Sequence, residues 1–115
     1  MTEPNPELVA MHRSLIALSN TMLEQMNAAA DEGNIEAMDA IHAEMPKVTK
    51  RVAIAGQRLL AARTEAITAA VAEVAAAEAE VKKTIQRLDA INDFIASITG
   101  FLGLVDEVLA IALPG

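Results

Sequence analysis

The chain has 115 residues and a mass of 12.1 kDa, one domain's worth of polypeptide, which excludes a multidomain enzyme. Hydrophobic residues make up 53% of it but aromatics only 2%, with alanine about a fifth of the total, a composition suited to packed helices rather than a sandwich. Nine Lys and Arg against sixteen Asp and Glu leave a net charge of −7, which repels phosphate backbones and argues against nucleic acid as a partner.

Asn5, Pro6 and Glu7 read as an N-cap, a proline in the first turn and an acid on the positive helix end. Leu8, Met11, Leu15, Leu18 and Met22 then recur at three and four residues, with Val9, Ile16 and Leu23 at seven widening the stripe. A first helix is expected over 6–32, with Gly33 as its left-handed stop. Asn34 caps a short second helix over 35–45, whose apolar face is Ile35, Met38, Ile41 and Met45. It is expected to break at Pro46, which disfavours helical geometry in the residue before it.

From 47 to 98 there is no proline and one glycine, Gly56, so a long third helix is expected, about 80 Å if continuous. Along it and beyond, Leu60, Ile67, Val74, Val81, Leu88, Ile95, Leu102 and Leu109 fall seven apart. Their companions stand at plus four, Val71 and Ile85, and then at plus three, Ile91, Ile98 and Val105. The switch near Asn92 marks a change of partner or a bend. Gly100 and Gly103 suggest a break and a last helix over 101–113.

The fold expected is all-α: an antiparallel bundle of three to four helices in one domain, with one long heptad-patterned, coiled-coil-like helix. Sustained heptads require lengthwise neighbours. The first two helices are too short to cover such a helix, so a homo-oligomer, a dimer first, or a helical protein partner would bury the rest. The competing fold breaks at Gly56 or near Asn92 and closes as a monomeric four-helix bundle.

Chemistry has little foothold. There is no cysteine, hence no disulfide and no thiol nucleophile. Asp39 and His42 stand three apart, as in bundle-core metal sites, but His12 lacks a matching acid, so no metal and no cofactor is expected. No Gly-x-Ser-x-Gly elbow or phosphate loop is present, and no catalytic residue is assigned. Lys47, Lys50, Arg51, Arg58 and Arg63 form a block without an acid; they read either as an anion patch or, preferred here, as partners of Asp31, Glu32, Glu36, Asp39 and Glu44. Methionines 11, 22, 26, 38 and 45 line the apolar stripes, as core or as an adaptable groove.

These features point to a non-enzymatic interaction or oligomerisation module, self-associating or pairing with another helical protein through the eight-residue seam from Leu60 to Leu109. One alternative is a membrane-active protein using the apolar segment 94–113, with Phe94 and Phe101 as anchors. Asp106 and Glu107 disfavour lipid contact there. Another is a small acidic chaperone or adaptor for an amphipathic client helix. With no basic, apolar leader at the start, the expected location is the cytoplasm.

Overall fold

Asn5 opens the first helix as its residue type predicts. Its Oδ1 accepts from the N–H groups of Glu7 at 3.0 Å and Leu8 at 3.4 Å, and helix α1 runs Pro6–Asp31. Gly33, at φ +73°, provides the left-handed residue that lets the chain reverse. Asn34 Oδ1 then accepts from Ala37 N–H at 3.1 Å and starts α2, Ile35–Gly56. Two further helices follow, α3 at Glu65–Ile85 and α4 at Ile91–Ile111, with a short 3₁₀ turn, Leu88–Ala90, before the last. The computed structural model describes residues 3–112, all of its regular structure helical.

Three of the expected boundaries are corrected. The second helix does not end at 45 but continues through Pro46 to Gly56. Pro46 cannot donate to the carbonyl of His42, yet both residues are exposed, so that carbonyl faces the solvent side. Ile41 and Val48 are fully buried on the opposite face, and their burial outweighs the missing bond.

The single helix over 47–98 does not form; the chain turns twice within it. In a continuous helix the carbonyls of Leu59 and Ala61 would accept from residues 63 and 65. Instead they accept from Asn5, through its backbone N–H at 2.6 Å and its Nδ2 at 3.5 Å. Thr64 then caps α3, its hydroxyl accepting from Ile67 N–H at 3.2 Å. At the second turn, Ile85 O accepts from Gln25 Nε2 at 2.8 Å and Leu88 O from Asn34 Nδ2 at 3.1 Å. Both turns are thus held by groups from residues 5–34, Asn5 through its backbone N–H and its amide, and Gln25 and Asn34 through theirs, which no local reading of residues 47–98 can contain. The helix expected over 101–113 begins at Ile91, running through Gly100 and Gly103 without a break; residue 113 lies outside the described residues. Phe94, Ile98, Phe101 and Val105, all fully buried on one face, offset the cost of about 1 kcal/mol per helical glycine.

The helices form two antiparallel hairpins, α1–α2 and α3–α4, laid side by side. Helix α1 packs on α2 and α3, and α4 packs on α3 and α2. Glu7 near Thr68 and Gln25 near Ile85 show that α1 and α3 run parallel. Arg51 on Asp106 and Asn34 on Leu88 show the same for α2 and α4. Residues 57–64 therefore cross the bundle diagonally, under the N-terminus of α1. The body measures 51 × 21 × 17 Å, longer than a sphere of this mass but well short of a helix of about 80 Å.

Candidate functional site

The heptad seam is used up inside the molecule. Ile67, Val74 and Val81 on α3, with Leu102 and Leu109 on α4, are buried in the common core. Leu88 in the 3₁₀ turn and Ile95 are half-buried. Leu60 lies in the diagonal connection and is 54% exposed. The seven-residue phase survives the turn at 86–90 because both arms of the hairpin present their apolar faces to the same core. The shift from plus-four to plus-three companions marks the reversal itself.

The chemical candidates stay apart. Asp39 and His42 are both exposed on α2, and among the described residues no group of three or more His, Asp or Glu is placed to hold a metal ion. His12 packs at the α1–α2 contact, where a side chain added at Gly56 would lie 3.3 Å from its Nε2 and the ring would have to give by a few tenths of an ångström. Met11 and Met22 are buried in the core, and Met26, Met38 and Met45 are half-buried against it.

The basic block pairs differently from the expected set. Lys47 does meet Glu44, at 3.1 Å. Arg51 instead forms a two-pronged bond to Asp106 on α4, 2.8 Å on each arm, and Arg63 lies 3.7 Å from Glu7 on α1. The cause is topological: Asp31, Glu32, Glu36 and Asp39 sit at the far end of the bundle from the C-terminus of α2. At that far end Glu36, Asp89 and Asp93 rim a shallow depression of about 330 Å³.

Helix α4 is long and apolar enough to span a membrane by length and composition. Phe94 and Phe101, the expected lipid anchors, are fully buried within the bundle. Of its most apolar window 39% is buried in the bundle.

Of the large apolar side chains left exposed, Ile35, Leu60 and Ile111 stand on three different segments, whereas two share one face of α1 and form a ridge. Ile16 is 40% and Leu23 45% exposed, one heptad apart, with half-buried Val9 continuing the line. Sequence reasoning assigned all three to the buried stripe. They lie about 100° round the helix from Leu8, Leu15 and Met22, and the core uses only the latter arc. Arg13 and Glu24, both exposed, flank the ridge, and neither has an ion-pair partner among the described residues. Compared with protein-family models, curated proteins and solved structures, the chain matches none of them.

Proposed function

We propose that this chain is a non-enzymatic helical interaction module that docks another helix along the outward ridge of α1. The observation that supports it is the pair Ile16 and Leu23, exposed large apolar side chains at helix-pairing spacing on one helix face, whereas the other exposed ones, Ile35, Leu60 and Ile111, lie on separate segments. The eight-residue seam from Leu60 to Leu109 does not serve this role, since its buried members already fill the core. Helix-on-helix docking needs a long, straight apolar line rather than a deep pocket, and α1, at 26 residues, is the longest helix in the molecule.

The reading is tested by placing a photoreactive amino acid at Leu23, with Ala76 on the outer face of α3 as the control, and irradiating cells that make the protein naturally. A discrete protein adduct from position 23 and none from 76 is expected. Equal or absent adducts at the two positions would remove α1 as the docking surface.

A further inference from the structure

The α1 ridge is self-complementary, and we propose that its occupant is a second copy of this chain, packed antiparallel along α1 about a two-fold axis between Ser19 and Asn20. The inference rests on the docking role given above to the ridge and adds the identity of the partner. Ile16 and Leu23 are about 10 Å apart along the helix, and their midpoint falls between Ser19 and Asn20. An axis at that level sets Ile16 opposite Leu23 of the second copy, and Leu23 opposite Ile16, so each exposed apolar side chain is covered and the same contact is made twice.

The charges fit the same axis. Arg13 comes within two residues, about 3 Å along the helix, of the level of Glu24 of the second copy. Arg13 and Glu24 also stand only about 20° apart round α1, on one flank of the ridge, as a two-fold axis requires of groups that pair across it. Within one chain they are eleven residues apart, about 16 Å, too far to pair with each other. The arrangement makes two ion pairs at no cost to any existing one, since neither residue has such a partner among the described residues. A parallel pairing would instead put this flank of the two copies on opposite sides of the seam, so that neither Arg13 nor Glu24 meets an opposite charge.

Two large side chains from each copy make a small interface, so a dissociation constant of about micromolar or weaker is expected. Sedimentation equilibrium on the full chain, from about 1 μM to about 1 mM, should show a reversible monomer–dimer equilibrium. Arg13→Glu sets two acids together at each pairing site, and Glu24→Arg sets two bases together. Each should weaken the dimer about tenfold. Mixed in equal amounts, the two variants restore opposite charge at both sites and should form a heterodimer at the wild-type affinity. Both positions are exposed, so unchanged far-UV circular dichroism is expected and excludes unfolding as the cause. A wild-type chain that stays monomeric to about 1 mM, or a dimer indifferent to both charge reversals, overturns the proposal. A monomer in solution together with adducts from Leu23 to a different protein would overturn the second copy as occupant while leaving the docking surface standing.

Discussion

Asn34 uses both ends of one amide. Its Oδ1 caps α2 at Ala37 N–H, and its Nδ2 donates to Leu88 O across the molecule, both at 3.1 Å. Asn5 repeats the device at the opposite end, its Oδ1 capping α1 and its Nδ2 donating to Ala61 O, while its backbone N–H holds Leu59 O of the same connection. Serine or aspartate would serve equally well as a cap, but neither can accept and donate in this way, because a carboxylate has no donor and a hydroxyl does not reach both sites. Asn34→Ser is therefore expected to keep the cap and lose the cross-molecule bond, at about 1 kcal/mol, while Asn34→Ala loses both, at about 2 kcal/mol. Urea unfolding of the two variants checks this. A serine variant as stable as the parent would mean that the bond to Leu88 contributes nothing.

At the level of the elements, what could be read ahead was whatever local chemistry decides. The caps at Asn5 and Asn34 and the stop at Gly33 were legible because each acts on residues within a turn of itself. Thr64 followed by Glu65 was an equally local start signal for α3, obscured by the unbroken run of helix formers on either side. The reversal at 86–90 has no Pro or Gly and showed only in the switch of companion spacing near Asn92, because the carbonyls of Ile85 and Leu88 are satisfied by Gln25 and Asn34 from more than fifty residues away. The ridge was hidden for a related reason, since Ile16 and Leu23 share the heptad spacing of core residues and only the packing of α2 and α3 decides which arc of α1 is covered. Conversely, Pro46, Gly100 and Gly103 looked like breaks and are not. Nothing stands within 4 Å of a side chain added at Gly100 or Gly103, and Pro46 is exposed. If burial carries these helices over poor formers, better formers should stabilise them. Pro46→Ala should add about 1–3 kcal/mol, and Gly100→Ala about 0.5–1 kcal/mol. Thermal melts of the single variants decide it; a loss of stability at Gly100 would show that its lack of a side chain is needed by something other than the helix.

For the molecule as a whole, the consequence is that its most regular sequence feature is spent on folding, so its mutational effects should separate stability from association. Val81 is fully buried in the core, whereas Leu60, in the same heptad phase, is 54% exposed. Val81→Asp leaves a charge in the core with no partner and should cost about 3–5 kcal/mol, a large share of the 5–15 kcal/mol typical of a domain. Leu60→Asp should fall within about 0.5 kcal/mol of the parent. Were the eight residues a single interhelical seam on one continuous rod, the two substitutions would have similar effects, and both would act on oligomeric mass. In two hairpins sharing one core, only Val81→Asp acts, and it lowers the urea midpoint of the individual chain at every protein concentration. A dependence of that midpoint shift on concentration would return the seam to the surface and undo the division of labour between the core of the two hairpins and the ridge of α1.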